Sequence, residues 1–419
     1  MRSTGGPSAR PLRLVVAAHA VSTYGSFLNM VALGLFALEI TGSAVPTGIF
    51  MAVRLGAGVL TGPVAGMLVG RYPRARLMIG GDLLAAGALV LLVAAPSAAR
   101  PAVLFALAVV IGGSQTLWVV ALRSGLPELV GPDDLARANA NLVAARSVAM
   151  LLGFGSAGIL VTLFGYHAAF LLDAASFALS ALLLSAVRAW RVVSSRAAGR
   201  PAGGAHRGSG LRRLLPSIAP VILAMIAVRS ADAFGSASHN VGLPVYANLA
   251  WPDAPAAFAA LFTTPWAVGS LAAGRWCARR AAGASRPGSP RAFGIATCAM
   301  SLLFVLAFAG PPIWAVVVLA LAAGMADGYA EISYTTRLQT VGSSRLPQLF
   351  GLASAAQNAG FGIGMIVSAF ALERLSPLPV VALAHGLAFA AAVAFLVSHA
   401  RSSAHRPHRQ LTKEAEVAP

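Results

Sequence analysis

The sequence predicts an all-α membrane protein, with twelve transmembrane helices in two six-helix bundles related by pseudo-two-fold symmetry. Three observations carry that prediction. The chain is 58% hydrophobic and 11% charged, whereas soluble domains average about 45–50% and about 25%. Its apolar residues fall into twelve runs, each close to the about 20 residues that cross a bilayer core of about 30 Å. Arginine gathers in alternate connections between the runs, the asymmetry that keeps Lys and Arg cytoplasmic.

The first run, 14–39, follows Arg2, Arg10 and Arg13; it is too long for a signal peptide and reads as a retained helix. The second and third, 47–70 and 77–95, are joined by a loop carrying Arg71, Arg74 and Arg76. Arg100 precedes the fourth, 101–122, and Arg123 and Arg137 separate it from the fifth, 138–163. The sixth, 168–187, completes the first bundle, 1–187. Residues 188–216 are rich in Arg, Gly and Ser, lack an apolar run and read as a flexible cytoplasmic linker. The second bundle, 217–400, opens with runs 217–237 and 255–274. Five arginines from Arg275 to Arg291 lead into 292–309, and 313–333 follows. Arg337 and Arg345 lie before 348–370, and Arg374 before 379–398. The polar tail 401–419 has the composition of a disordered segment. Of 31 basic residues, 26 fall at the termini and in the even-numbered connections, which predicts a multi-pass protein of the cell (inner or plasma) membrane with both termini cytoplasmic.

That distribution also accounts for the net charge of +18 without a nucleic-acid partner. Cys277 and Cys298 fall in a cytoplasmic connection and a membrane run, so no extracellular disulfide is expected, and no metal-ligand spacing occurs. Phosphate-binding, nucleophile-elbow and dinucleotide motifs are lacking, so neither a cofactor nor an enzymatic activity is expected. The expected partners are the lipid bilayer, a small-molecule substrate and protons, with no obligate protein partner.

The halves echo one another. A shift of 211 residues aligns Val130-Gly131 with Val341-Gly342, Leu135 with Leu346, Ala145 with Ala356, and Gly153 with Gly364. Parallel repeats of this kind build many secondary transporters, with the substrate site between the halves. Gly58, Gly62, Gly66 and Gly70 recur every fourth residue and lie on one face of the second helix. Small faces let membrane helices approach closely. They serve static packing or a surface on which this helix rocks against the eleventh, with its Gly360, Gly362 and Gly364. Gly153 and Gly158 of the fifth helix belong to the same class.

Ionisable residues inside apolar runs cost about 2.5–3.5 kcal/mol on insertion scales, so each needs a reason. In the seventh run Arg229, Asp232, Ser236 and His239 form one helical stripe. Counted from Pro216, Arg229 and Asp232 fall roughly 20–24 Å along the helix, in the middle to outer half of the membrane. The first run repeats the spacing with His19, Ser22, Ser26 and Asn29. The tenth holds Asp327 and Glu331 on one face. Two close carboxylates repel when both are ionised, which suits one to carry a proton, although Glu331 is also placed to pair with Arg337. Asp327 lies deeper and is the better carrier. Arg54 and Asp173 read as structural pairing residues, and Asp82 as a helix-end or loop-arginine partner. Gln115 and Trp118 share a face of the fourth helix and suit an amphipathic ligand by hydrogen bonding and stacking.

Three stretches resemble the major facilitator superfamily, and within it the bacterial drug-exporter group that includes macrolide and siderophore exporters. They are ALEITGSAVPTGIFMAVRLGAGVLTGPVAGMLVGRYPRARLMIGGDLL (37–84), ALRSGLPELVGPDDLARANANLVAARSVAMLLGFGSAGIL (121–160) and AAFLLDAASFALSALLL (168–184). The resemblance implies alternating access about a central site built from helices 1, 4, 7 and 10, and it turns the Arg229–Asp232 pair toward that site. It implies a proton-coupled exporter of an amphipathic small molecule such as a drug or natural product. Uptake or facilitated diffusion of a metabolite and a non-transporting scaffold or sensor are the alternatives. The sequence departs from the group in three places. Gly70 stands where an acid latches the loop, leaving Arg71, Arg74 and Arg76 without that partner; Gly153-Phe154-Gly155 lacks the usual proline; and Ser26 replaces an acid of the first helix. Proton handling therefore falls to Asp232, Asp327 or Glu331.

Overall fold

The computed structural model describes residues 9–41, 44–187, 218–280 and 288–404. Among them are eleven helices long and apolar enough to cross a membrane. One of these, Leu135–Ser185, has 51 residues and breaks at Gly165, where φ is 76° and ψ 173°. A left-handed φ suits glycine alone, so this residue turns one long helix into two crossings. The membrane helices are therefore α1 (Ala9–Thr41), α2 (Ala44–Arg71), α3 (Arg74–Ala94), α4 (Arg100–Val130), α5 (135–164) and α6 (166–185). The second set is α7 (Pro220–Ala250), α8 (Pro255–Arg280), α9 (Pro290–Phe308), α10 (Ile313–Leu338), α11 (Leu346–Leu372) and α12 (Pro377–Ala404).

Most helices outrun the apolar stretch that predicts them. α4 continues past residue 122 to Val130, where Gly131 (φ 78°) ends it with its N–H on the Pro127 carbonyl. Arg123 thus lies within a helix and not in a connection. α7 begins at Pro220 and runs to Ala250, well beyond 237. Its polar residues do not stop it because their side chains bond back to the helix: Asn240 Nδ2 donates to the Ser236 carbonyl at 2.7 Å, and Asn248 Nδ2 to the Pro244 carbonyl at 2.9 Å. The later start puts Arg229 and Asp232 only about 14–18 Å along α7, within its first half. The expected linker, 188–216, lies outside the described residues, as does the tail beyond Ala404; residues 401–404 are the last turn of α12.

Packing repeats between the halves. α1 packs on the α5–α6 pair as α7 packs on α11 and α12; α2 packs on α4 as α8 packs on α10; α3 packs on α4 as α9 packs on α10. Across the halves α2 meets α11, and α5 meets α8. Buried apolar side chains form one large core that takes residues from both halves, including Val15, Met78, Leu126 and Leu142 with Ile222, Phe293, Tyr334 and Phe395. These lie toward the membrane face where α1 begins and α12 ends, here termed the terminal face. Toward the opposite face the cores are separate. One, around Leu28, Phe50, Leu107 and Phe170, is confined to the first half, and another, around Leu243, Phe262, Phe304 and Phe308, to the second. The halves are joined by a shared core on the terminal side and have independent cores beyond it.

Candidate functional site

On that seam, toward the terminal face, Arg229 gathers three carboxylates. Its Nη1 donates to Asp232 Oδ2 at 2.5 Å, one helical turn along α7. The same nitrogen stands 3.4 Å from Asp327 Oδ1, and Nη2 donates to Glu331 Oε2 at 2.8 Å. The four-residue spacing of Asp327 and Glu331 puts both on one face of α10, within reach of one planar guanidinium. Arg229 and Asp232 are 7% and 2% exposed, and charges so deeply buried need partners. Glu331 is shared between the halves: its Oε1 accepts from Arg123 Nη2 of α4 at 2.7 Å. Arg123 Nη1 donates to Thr335 Oγ1 at 2.7 Å, and that hydroxyl donates on to Glu331 at 3.1 Å. Glu331 therefore pairs with Arg123 and Arg229, and not with Arg337.

Neutral groups extend the joint toward the terminal face. Asn139 Nδ2 of α5 donates to Thr336 Oγ1 at 3.0 Å and to Gln339 Oε1 at 2.6 Å. Gln339 Nε2 donates to the Arg123 carbonyl at 2.9 Å. The sequence reading misses Arg123, Asn139 and Thr335 because polar residues near the end of an apolar run look like parts of a connection. The available signal was the SGLPELV segment after Arg123, apolar enough to continue the helix.

The two polar stripes divide. His19 stacks on Trp118 with ring centroids 5.2 Å apart, joining α1 to α4. Ser26 Oγ donates to the Ser22 carbonyl and accepts from Gln115 Nε2 at 3.0 Å, while Gln115 Oε1 accepts from Arg54 Nη2 at 2.8 Å. Asn29 turns into the first bundle, donating to Asp173 Oδ2 at 2.6 Å. His239 likewise turns into the second bundle, with Nδ1 3.1 Å from His385 Nε2 and its ring stacked 4.1 Å from Phe304. Ser236, between them, is half-buried. Ten residues along a helix rotate a side chain by about 80°, which takes Asn29 and His239 off the face that His19 and Arg229 begin. Arg54 and Asp173 therefore bond to amides, with no ion pair between them among the described residues. Among the described residues Asp82 meets no loop arginine; it is buried and accepts from Ser180 Oγ at 2.7 Å.

The glycine face of α2 lies against α11. A methyl group on Gly62 would come 2.6 Å from the Gly351 carbonyl oxygen and 2.8 Å from Ala355 Cβ. On Gly66 it would stand 3.0 Å from Gln348 Cα, on Gly58 2.6 Å from Asn358 Nδ2, and on Gly70 3.6 Å from Gln348 Nε2. Of the expected α11 glycines only Gly362 faces α2, at Leu55; Gly360 and Gly364 pack on Ser230 and Phe234 of α7. Gly153 packs on Tyr24 and Phe27 of α1, whereas Gly158 has open space around it. Arg71 is exposed, and Arg74 finds a different acid, Glu128 at the end of α4.

A sequence model described as Major Facilitator Superfamily matches residues 15–341. No curated protein matches the chain. Among solved structures, similarity extends to a bacterial homologue of the iron transporter ferroportin in an outward-facing state, at 18% identity and a TM-score of 0.69, covering 94% of this chain and 98% of that one. It extends also to the human organic anion transporter MFSD10, at 14% identity and a TM-score of 0.72, covering 93% and 100%. A third is the transporter FucP in the outward conformation, at 15% identity and a TM-score of 0.67, covering 92% and 97%.

Proposed function

Because the chain belongs to the major facilitator superfamily, and so is a multi-pass secondary transporter of a small molecule and not an enzyme, we propose that it is a proton-coupled exporter of an amphipathic compound. The observation that carries this reading is the shared position of Glu331, held by Arg229 of its own bundle and by Arg123 of the other. A proton arriving at one of the three acids removes a counter-charge from Arg229 and lets the remaining partners redistribute. That loosens the grip of α4 on α10 and with it the closure on the terminal, cytoplasmic side. Substrate then binds from that side, and loss of the proton restores the joint. Asp327, at 3.4 Å, is the acid held least closely by Arg229 and is the proton carrier in this scheme.

The test uses inside-out membrane vesicles and a panel of fluorescent amphipathic dyes bearing acidic, neutral or basic groups. Acidifying the vesicle lumen should drive accumulation of at least one dye class, and nigericin should abolish it. Asp327→Asn should lose this accumulation while still exchanging labelled for unlabelled dye across the membrane. Accumulation by Asp327→Asn that matches the unaltered protein and still collapses with nigericin would remove Asp327 from the scheme. Dye movement indifferent to nigericin in the unaltered protein would remove proton coupling itself.

A further inference from the structure

Four arginines lie within the membrane helices near the seam, and three are engaged: Arg54 by Gln115, Arg123 by Glu331 and Thr335, and Arg229 by three acids. Arg146 is the fourth. It lies eleven residues into α5, about 16 Å from the start of that helix and so near mid-membrane. Among the described residues it has no ion pair and no hydrogen bond, and its side chain is exposed. It does not point at lipid. Its guanidinium carbon sits 5.8 Å from the centroid of the Phe27 ring on α1. The side chain therefore lies over α1, on the face of α5 that Gly153 also turns toward Tyr24 and Phe27.

An arginine at this depth is costly unless water or a counter-charge meets it. The three acids nearest the seam are already bonded to Arg229 and Arg123, so Arg146 is the spare cation of the cluster. Its planar fork presents donors that match a carboxylate in two parallel bonds. Apolar rings lie next to it: Phe27 carries Phe154 edge-on, at a centroid distance of 5.0 Å, and both are half-buried. A cation with unfilled donors beside a pair of partly open rings suits a ligand that is acidic at one end and aromatic or aliphatic at the other.

We infer that the substrate is an amphipathic organic acid whose carboxylate binds Arg146 and whose apolar body lies against Phe27 and Phe154. This rests on the reading of the seam as the transport site, and it adds the chemical class of the cargo. It also assigns a role on the fifth helix, whereas the sequence pointed to helices 1, 4, 7 and 10.

The test is a binding comparison with the purified full chain in detergent. The probes are carboxylated fluorescent aromatic dyes, each paired with its methyl ester, and affinity is read by fluorescence anisotropy. The acid form of at least one pair should bind about tenfold or more tighter than its ester, the scale of a charge-assisted hydrogen bond. In Arg146→Gln that ratio should fall to about one, and Arg146→Lys should keep part of it; both variants should elute as monodisperse protein. If no acid binds better than its ester, or if Arg146→Gln discriminates as well as the unaltered protein, the inference is overturned. Should Arg146→Gln aggregate, Arg146→Lys decides: its acid-to-ester ratio should fall below that of the unaltered protein, and an unchanged ratio overturns the inference. The coupling proposal fails separately: acid-selective binding that depends on Arg146, with transport indifferent to nigericin, leaves this inference standing and removes only the proton.

Discussion

At the scale of single residues, the Arg229 cluster makes opposite demands on its members. Removing the hub strands Asp232 and Asp327 and leaves Glu331 to Arg123 alone, whereas removing one acid leaves the other two to neutralise Arg229. Breaking a buried pair by deleting one partner costs about 3–5 kcal/mol. Arg229→Gln should therefore lower the thermal midpoint in detergent more than any single change at Asp232, Asp327 or Glu331. Asp327→Asn should be the mildest, because its oxygen lies 3.4 Å from Arg229 where the other two lie at 2.5 and 2.8 Å. A larger loss for Asp327→Asn than for Asp232→Asn would show that the order of distances does not set the order of energies. The double change Asp232→Asn with Arg229→Gln should not fully rescue stability, since Asp327 would remain without a cation and Glu331 would keep Arg123 alone. Four of these five charges were legible in the sequence because an ionised group inside an apolar run stands out by its cost. Arg123 was not, because the end of a run is where arginine is cheap, and only the packed structure shows that α4 runs on past it. The destination of His239 was hidden for a related reason: its stripe is correct for one turn and has rotated off the face by the third.

At the scale of helices, the small faces of α2 and α8 do equivalent work. Gly62 of α2 sits on Gly351 and Ala355 of α11, and Gly274 of α8 sits on Ala140 and Ala144 of α5. The two receiving pairs are separated by the same 211 residues that align the halves in sequence. A faint internal repeat thus becomes a repeated helix contact, and these are the two contacts that join the bundles along their length. Each brings backbone to within van der Waals distance, so a larger side chain has nowhere to go. Overpacking a close contact costs about 1–3 kcal/mol. Gly62→Leu and Gly274→Leu should each reduce transport and lower the thermal midpoint, whereas Val64→Leu, on a face 44% exposed, should change neither. Equal tolerance at Gly62, Val64 and Gly274 would remove the close approach as a requirement. The sequence identified the small face of α2 from its fourfold spacing. It misassigned most of the partner face on α11, because Gly360 and Gly364 serve α7 and no spacing rule tells which neighbour a glycine will meet.

At the scale of the whole molecule, twelve crossings and their grouping in sixes were legible from apolar runs, since a continuous apolar run satisfies its own backbone in lipid only as a helix. The orientation rests on arginine counts, and it makes a direct prediction. Reporters fused at Gly203 and after Arg401 should both be cytoplasmic, and one placed in 248–254 should be external; opposite faces for the first two would overturn the placement of every seam residue. What the sequence did not reveal is which side is shut, because closure lies in contacts between halves that have no local signature. The shared core and the Arg123–Glu331 joint both lie toward the terminal face, so the described arrangement is closed there. A native probe reports on this closure. Cys277 of α8 is 1% exposed and packs with Ala140 and Val143 of α5 and Ile332 of α10, in a small cluster that belongs to the seam itself. While the terminal side is shut, a membrane-impermeant maleimide cannot reach its thiol; when the halves part there, it can. Arg123→Gln removes a charge-assisted bond across the seam, worth about 1.5–3 kcal/mol, and so should shift the population toward the open form by roughly tenfold or more. In a Cys298→Ser background, with label added from the cytoplasmic side, Cys277 should react about tenfold faster in Arg123→Gln than with Arg123 intact. Arg374→Gln, in a connection far from the seam, should leave the rate unchanged. Equal labelling rates with Arg123 intact and in Arg123→Gln, for chains of equal thermal midpoint, would mean that the joint does not hold the terminal side closed, and the coupling scheme would lose its lock.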